Sequence, residues 1–355
     1  MSIKARKSIL TEDDIVKCIN RLNLNKIRRV IILRKLKERN LIPLDYNHPK
    51  LHYILKILGY FFGDGYLNFI GKRCDGILGF SSKNPSDLVE IRNDIVKIGY
   101  TPSKIYFKER NREYFFYVNA SSLLVFLHAL GAPIGDKTLQ KYRVPKWIFR
   151  CSFEQKRLFL AALFGAELSK PTIRKNKPTL FANPQLEMAK EVSIADSAKE
   201  FLKDITKLLQ EFGVEATIYR RKGVYVRKKD GKKTVKFILS IKSYPENLIN
   251  LWEKIGYEYN GERQELAKLA VAYLKYKREL IERRRKLAEE IKKLATSGFS
   301  LMQIKKMLKI RRDDTRFVEE IYHKVTRNIP ITEIRLPRSV LSFNQFIRLL
   351  RAKRQ

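Results

Sequence analysis

Hydrophobic positions along this chain follow one order of elements twice. The first round predicts a helix, two strands, a helix, two strands and a helix, at residues 51–63, 66–72, 77–82, 86–98, 104–108, 114–118 and 121–130. The second round predicts a helix, a strand, a helix, three strands and a helix, at residues 153–167, 185–192, 197–212, 217–220, 225–228, 235–241 and 246–255. Asp75-Gly76 and Asp230-Gly231 mark a tight hairpin in each round. The pattern predicts an α+β chain containing an internal duplication of about a hundred residues.

The net charge of the chain restricts the kinds of partner that we expect it to bind. The 355 residues include 74 Lys and Arg against 37 Asp and Glu, a formal net charge of +37, while 44% of residues are hydrophobic. The apolar content is ample for folded cores, and the positive surplus favours a polyanion such as nucleic acid. Because no apolar run approaches the ~20 residues of a membrane span, we expect no membrane contact and a cytoplasmic location. From Met1 and the final Ala-Lys-Arg-Gln we expect a chain that is not a self-splicing element.

Cysteine and histidine offer no metal signature. The three cysteines stand far apart without CxxC spacing, and only four histidines occur, His48, His52, His128 and His323. The sequence therefore gives little support to a disulfide framework, a zinc site or a histidine-metal nuclease.

Two apolar helices carry the chemistry. At a constant offset of 103 residues, Gly59 matches Ala162, Gly63 matches Ala166, and Asp64 matches Glu167. Small residues four apart let two helices approach closely, which would bring the two carboxylates together at one end. Carboxylates beside helix carbonyl ends suit a hard divalent cation, and Mg²⁺ is the expected metal, with Mn²⁺ able to substitute.

At these residues the chain resembles the LAGLIDADG homing endonucleases, in their archaeal form with two repeats on a single chain. The linker Gly131-Ala-Pro-Ile-Gly-Asp-Lys137 is also similar to that of archaeal members, whereas Leu168 stands where a glycine usually ends the signature. The resemblance implies a pseudo-twofold pair of αββαββα units whose sheets form a saddle over DNA. We expect repeats at 49–148 and 149–261, with basic helical extensions at 1–48 and 262–355.

The resemblance also implies roles for single residues. Asp64 and Glu167 become the metal-binding catalytic acids, and the carbonyl oxygens of Gly63 and Ala166 become supplementary metal ligands. Lys170 matches a lysine beside the attacking water, and Lys83, with Ser82 beside it, is its candidate counterpart in the first repeat. Base readout would fall to side chains on the strands, namely Asn68, Lys72, Arg73 and Ser81 in the first repeat, and Arg220, Arg221, Tyr225 and Arg227 in the second.

Three functions compete at this stage. The first is a site-specific, Mg²⁺-dependent endonuclease that cuts double-stranded DNA at a long asymmetric target and leaves 5′ phosphates and 3′ overhangs. The second is an RNA-binding maturase on the same scaffold that assists an intron RNA, and the third is a non-catalytic DNA-binding regulator. Because both acids are present, we expect the endonuclease, acting in intron homing as a monomer.

The C-terminal extension adds a second nucleic-acid signal. It holds 25 basic and 11 acidic residues. Apolar positions on either side of Gly298 have the spacing of a helix-turn-helix, and Asp313 or Asp314 would cap a third helix. Plain structural helices have the same periodicity, so both interpretations stay open.

Overall fold

The structure is a computed structural model that describes residues 8–71 and 75–352. Its contacts divide the chain into two compact units. Unit 1 takes the chain up to Pro171 together with Asn183–Ala267, and unit 2 takes Thr172–Ala182 together with the chain from Lys268 onward.

Unit 1 begins with a basic extension of two strands and two helices, β1 (Ser8–Leu10), α1 (Glu12–Arg21), α2 (Lys26–Glu38) and β2 (Leu44–Asp45). Strands β1 and β2 pair antiparallel. Thr11 and Asp14 form a capping box that starts α1, and Ile15 and Ile19 on this helix are fully buried. The extension is therefore part of the folded core of unit 1.

The first repeat has the predicted order. Its elements are α3 (Leu51–Phe62), β3 (Tyr66–Ile70), β4 (Asp75–Ser82), α4 (Pro85–Lys97), β5 (Tyr106–Lys108), β6 (Glu113–Asn119) and α5 (Ser121–Ala129). The strands form one antiparallel sheet in the order β3-β4-β6-β5. Leu78, Phe80, Phe116 and Val118 alternate along the central strands and face the core, each at most 1% exposed.

The second repeat differs from the first in its sheet. Its elements in unit 1 are α6 (Phe153–Glu167), β9 (Gln185–Glu191), α7 (Asp196–Glu211), β10 (Ala216–Arg220), β11 (Tyr225–Val226), β12 (Lys233–Ile241) and α8 (Pro245–Ile249), which continues as a π-helical segment to Ile255. Strand β12 pairs with β9 along one edge and with β10 and then β11 along the other. Strands β7 (Ile173–Arg174) and β8 (Lys177–Phe181), which follow α6 in the chain, form a hairpin of unit 2. The predicted α+β fold with two repeats is thus confirmed, but the described sheet of the second repeat has no counterpart of β3.

Helices α3 and α6 pack along a seam of small residues. A Cβ atom added at Gly59 would lie 2.3 Å from the carbonyl oxygen of Phe159, and one added at Gly63 would lie 2.5 Å from Cβ of Ala166. Real Cβ atoms do not tolerate such distances, so only glycine permits this approach. The predicted glycine and alanine seam is present in the structure.

Unit 2 joins the β7–β8 hairpin to the C-terminal helices, of which α9 (Gly261–Thr296) runs on from unit 1 and α10 (Leu301–Met307), α11 (Thr315–Thr326) and α12 (Phe343–Ala352) follow. Tyr273 is fully buried and packs against Phe181, Phe343 and Phe346. Asp314 was a predicted helix cap, but its buried carboxylate pairs with Arg284 at 3.0 Å and makes no capping bond. Among residues 8–71 and 75–352, no helix is both long and apolar enough to cross a membrane.

We expect Gly59→Ala to lower the free energy of unfolding by about 1–3 kcal/mol, because the added methyl group meets a backbone oxygen that has no room to move. Urea denaturation measures the change. The control is Gly261→Ala, where the nearest atom is 3.8 Å from the new Cβ. Equal stability of the two variants would contradict the packing account of the seam.

Candidate functional site

Two carboxylates meet at one end of the seam. Helix α3 ends at Phe62 and Gly63 caps it, so that Asp64 leaves the helix directly, while Glu167 is the last residue of α6. A Cβ at Gly63 would lie 3.0 Å from Cγ of Glu167, which places the glutamate against the end of the other helix. The structure therefore brings the two predicted acids to a common site.

The surroundings of the acids disfavour two negative charges. Burial, together with the nearby Asp64, raises the pKa of Glu167 to about 7, although Lys137 and Arg263 work to lower it. Asp64 is an exposed residue, but protein atoms around its carboxylate displace part of the surrounding water. This desolvation raises the pKa of Asp64 as well. A pair in this condition is stabilised by any added positive charge.

Two basic side chains already supply positive charge, one at the end of each helix. Lys137 Nζ donates hydrogen bonds to the carbonyl oxygens of Gly65 (2.9 Å) and Phe61 (3.4 Å). One Arg263 nitrogen donates to three carbonyls at the end of α6, those of Phe164 (3.1 Å), Gly165 (2.8 Å) and Ala166 (3.1 Å). Cations at helix C-termini are favourable because the free carbonyls there carry partial negative charge.

Sequence reasoning missed both basic residues as site components. Lys137 is the last residue of the linker motif between the repeats. Its position in that motif could have identified it as a residue of the site. Arg263 lies 96 residues after Glu167 and only the fold brings it back to the site.

Further contacts fix the linker that carries Lys137. Lys190 is fully buried and donates to the carbonyl oxygens of Lys137 and Gln140. Burial and the nearby Lys137 lower the pKa of Lys190 to about 7. Burial works to raise the pKa of Asp136, but hydrogen bonds from Lys229 and Arg227 outweigh it and hold that pKa well below its usual range. These contacts hold the backbone of the linker at and around Lys137. They therefore restrict where the Lys137 ammonium can lie.

The residues predicted as supplementary ligands have mixed surroundings. The Ala166 carbonyl accepts from Arg263, so a metal ion there would share this oxygen or displace the guanidinium. Gly63 is buried between the helices. Leu168 has an extended backbone, with φ −75° and ψ 134°, so the exit from α6 needs no glycine.

The predicted lysines lie on the surface. Lys170 forms an ion pair with Glu262, with Nζ 2.6 Å from Oε1. Lys83 is exposed between β4 and α4, and the adjacent Ser82 hydroxyl donates to Asp87. These contacts leave the proton-handling role of either lysine as a prediction.

The residues predicted to read bases are spread over both sheets. Asn68 is exposed and Ser81 half-buried on the first sheet, and Lys72 and Arg73 lie outside the described residues. On the second sheet Arg220 is exposed, Arg221 pairs with Glu187, and Tyr225 stacks under Lys236. Arg227 is half-buried, and its guanidinium is held by Asp136 and Asp230.

The comparison with protein families matches residues 154–256 to the LAGLIDADG-like domain. This segment runs from the start of α6 to the end of the second repeat. The chain thus carries a LAGLIDADG-like domain, and the resemblance drawn from the paired helices is confirmed.

Curated relatives cover most of the chain under three different names. The chain is 35% identical over 331 residues to the tRNA-splicing ligase RtcB of Pyrococcus furiosus, covering 89% of this chain and 32% of that protein. It is 34% identical over 281 residues to the DNA-directed RNA polymerase subunit Rpo1N of Methanocaldococcus jannaschii, covering 75% and 20%. It is 27% identical over 329 residues to the replication factor C small subunit of the same organism, covering 89% and 16%. The chain therefore spans a third or less of the length of these relatives.

Among solved structures, the chain is similar to variants of the homing endonuclease I-DmoI, at 15% identity and a TM-score of 0.40 over 60% of this chain and all of that one. A structure of I-DmoI with DNA and manganese matches at 16% identity and a TM-score of 0.39, over 58% and 97%.

These relatives correct the function drawn from the sequence. The site-specific DNA endonuclease is contradicted, because relatives aligned over 89% of the chain are named as a ligase of tRNA splicing. The predicted enzyme class, a Mg²⁺-dependent DNA endonuclease, is wrong on the same finding. Two packed helices that bring a pair of carboxylates together indicate a fold and a site of concentrated negative charge. They do not by themselves show which reaction a protein catalyses.

We expect Glu167→Gln to raise the free energy of unfolding at pH 8 by on the order of 1–3 kcal/mol and to leave it unchanged near pH 4. A carboxyl group whose pKa is raised on folding stabilises the fold fully below its unfolded value of 4.5, and that contribution is lost as pH rises through about 7. Urea denaturation at both pH values provides the measurement.

The matched control is Glu289→Gln, which alters an exposed glutamate of α9. We expect no pH-dependent difference for this variant. A Glu167→Gln effect of the same size at pH 4 and pH 8 would show that titration of the buried carboxyl is not its cause.

Proposed function

We propose that this chain, with its LAGLIDADG-like domain, is a nucleic-acid-binding module that holds a divalent cation between Asp64 and Glu167. The observation that carries the proposal is the recurrence of one segment in relatives of three names. Between 75% and 89% of this chain aligns with only 16–32% of a ligase, a polymerase subunit and a replication factor.

A segment common to three such proteins does not encode three activities. We therefore assign RNA joining by the ligase relatives to the two thirds or more of their length that this chain does not match. What the names share is work on nucleic acid, and the +37 net charge of this chain suits the same partner. The module is proposed to contribute binding to a polynucleotide.

Exposed cations on the second sheet support backbone contact. Arg220 ends β10 and Arg221 follows it, and the turns on either side of β11 expose Lys222, Lys228 and Lys229. Arginine and lysine bind phosphate in any sequence, whereas readout of bases needs side chains that reach their edges. Asn68, Ser81 and Tyr225 are proposed for that second role, and duplex DNA is the partner that the paired sheets would suit.

The acidic site fits a hydrated divalent cation. A cavity of about 150 Å³ adjoins Glu167 and Lys137, which gives room for several water molecules. Among the described residues, no cluster of three or more metal-ligating side chains occurs. Mg²⁺ commonly binds through one or two carboxylates and keeps several waters, so two acids suffice.

When bound, the cation would supply positive charge against a phosphate group. Asp64 and Glu167 would hold it, with Lys137 and Arg263 fixing the helix ends that carry the two acids. The carbonyl oxygens of Gly63 and Ala166 are proposed as secondary ligands. Lys170 and Lys83 are proposed to lie near the phosphate.

Unit 2 supports a second binding surface. The end of α9, together with α10 and α11, encloses one core whose members are Ala288, Ile291, Ile304, Phe317, Val318 and Ile321. Gly298 has φ +86° in the turn before α10, where Ser300 and Gln303 form a capping box. Exposed cations cluster where α10 leads into α11, at Lys306, Lys309, Arg311, Arg312 and Arg316. We assign these three helices as a helix-turn-helix that contacts backbone phosphates.

Both repeats lie on one chain, so the proposed site needs no second copy. We propose a monomer built from the repeats at 49–148 and 149–261, with the extensions at 1–48 and 262–355 enlarging the basic surface.

We expect Mg²⁺ at ten times its Kd to raise the free energy of unfolding of the wild-type protein by about 1.4 kcal/mol. The double variant Asp64→Asn and Glu167→Gln should show no such gain, because an amide oxygen carries no charge to attract the ion. Mn²⁺ binding followed by electron paramagnetic resonance gives an independent readout. Asp313→Asn, an exposed acid of unit 2, serves as control. Equal Mn²⁺ affinity in the double variant would place the ion elsewhere.

We expect the double variant Arg220→Ala and Arg221→Ala to bind both a labelled duplex DNA and a labelled tRNA more weakly. The slope of log affinity against log salt should fall by about 0.9 for each lost phosphate contact on duplex DNA. Fluorescence anisotropy over a salt series measures both quantities. Lys207→Ala, on the exposed side of α7, is the matched control. An unchanged slope in the arginine variant would remove the second sheet from the binding surface.

A further inference from the structure

Arg263 has a second set of donors beside the acidic site. Its three hydrogen bonds to the end of α6 all come from one nitrogen, Nη1. Within the part of the chain that the structure describes, neither Nε nor Nη2 has an acceptor, and neither atom is buried. Nε and Nη2 together form the edge of a guanidinium that binds two oxygens of one anion at once. Arg263 can therefore hold α6 and bind an anion at the same time.

The segment that carries Arg263 is bonded to α6 at several points. The backbone N–H of Glu258 donates to the carbonyl oxygen of Ala161 at 2.9 Å. The Asn260 side chain donates to the carbonyl oxygen of Gly165 at 3.0 Å and accepts from the backbone N–H of Arg263 at 3.1 Å. Because these bonds position the side chain in advance, it loses little conformational freedom when it binds a ligand.

A glycine of α6 permits this close contact. A Cβ atom added at Gly165 would lie 1.8 Å from the carbonyl oxygen of Glu258, a distance that real Cβ atoms do not tolerate. The absence of a side chain at this position thus lets the segment lie against α6 and brings Arg263 to the end of that helix.

The charge of Arg263 acts on the site without being neutralised by contact. Burial raises the pKa of Glu167 and of Asp64, and Arg263 is one of the cations that oppose both shifts. Its neighbour Glu262 is paired with Lys170, and no carboxylate of the described residues forms an ion pair with Arg263. Arg263 is also the third residue of α9, where the positive end of the helix dipole adds to the attraction for an anion.

We propose that Arg263 binds a phosphate group of the polynucleotide through Nε and Nη2, while Nη1 continues to hold the end of α6. The inference rests on the proposed function and adds to it a fixed contact with the backbone beside the two acids. A guanidinium remains charged at any ordinary pH, so this contact forms with or without a divalent cation. Binding in the absence of divalent cations therefore isolates it.

The test measures binding of a fluorescent duplex DNA to the full chain in EDTA over a salt series. Arg263→Met removes the guanidinium and keeps an apolar stem. Its DNA affinity should fall about tenfold, as expected for lost hydrogen bonds between charged groups. The slope of log affinity against log salt should fall by about 0.9, the value for one phosphate contact. A purely structural role would leave this slope unchanged.

Arg263→Lys separates the charge from its geometry. Lysine keeps the positive charge, so the salt slope should equal that of the wild type. A single ammonium group does not provide a planar pair of donors, so the affinity should still be weaker than that of the wild type. Wild-type affinity in Arg263→Lys would overturn the two-donor contact, because charge alone would then account for binding.

Arg157→Met is the matched control on the same helix. All three guanidinium nitrogens of Arg157 already donate to acceptors, on the side chains of Glu154 and Glu258 and on the carbonyl oxygen of Ile255. We expect its DNA affinity and salt slope to equal those of the wild type.

Circular dichroism and thermal unfolding check that each variant is folded. Arg263→Gln is the second variant if Arg263→Met does not fold. Its amide keeps a donor for the α6 carbonyls but carries no charge, so it should show the same loss of slope.

The outcomes separate this contact from the proposed function. If the wild type binds no duplex DNA, the proposed function fails. If the wild type binds DNA and the uncharged variants bind it with the same affinity and slope, only the contact by Arg263 is refuted. A weaker affinity with an unchanged slope also overturns the contact, because Arg263 would then act only by supporting the fold.

Discussion

The close approach of α3 and α6 is the constraint on which the rest of unit 1 depends. Because Gly59 and Gly63 leave no side chain between the helices, the ends of both helices are forced to one point. Free carbonyl groups and two carboxylates accumulate there, which is an unfavourable concentration of negative charge. Lys137 and Arg263 relieve it from two different parts of the chain. Close packing thus concentrates negative charge at this point. Basic side chains from the linker and from the start of α9 compensate that charge.

The two relieving cations are chemically different. The Lys137 ammonium is buried, and burial lowers its pKa while Glu167 and Asp64 work to raise it. A guanidinium stays charged at any ordinary pH and donates to several acceptors at once, as Arg263 does at the end of α6. The helix pair is nearly symmetric, yet one half of the site carries a permanent charge and the other a charge that depends on its surroundings.

The sequence was sufficient to predict the features that occur in both repeats. The offset between Asp64 and Glu167 predicted the seam and the acidic pair, because small residues at helical spacing that occur twice, each time before a carboxylate, are typical of two helices in close contact. The capping box at Ser152 and Gln155 located the start of α6. Strand alternation located β4, β9 and β12 within a residue or two.

Long-range pairing was beyond the sequence. Nothing local to Arg263 links it to Ala166, and nothing local to Arg227 shows that Asp136 holds its guanidinium. The short strands of 173–181 lacked an apolar pattern of their own, because only Phe181 is buried at their end. Function was also misjudged, since charge and an acidic pair restrict the partner but leave the reaction open.

The hairpin of β7 and β8 has a consequence for dissecting this protein. The polypeptide leaves unit 1 after Pro171, returns at Asn183 and leaves again after Ala267. A truncation after residue 261, the sequence boundary of the second repeat, would therefore remove α9 beyond its first residue and deprive Phe181 of Tyr273 and Phe343, the rings that cover it. A single cut in the sequence therefore cannot separate the C-terminal helices as an intact unit. They share eleven residues of an earlier loop, Thr172–Ala182, so the two units are expected to be inherited together.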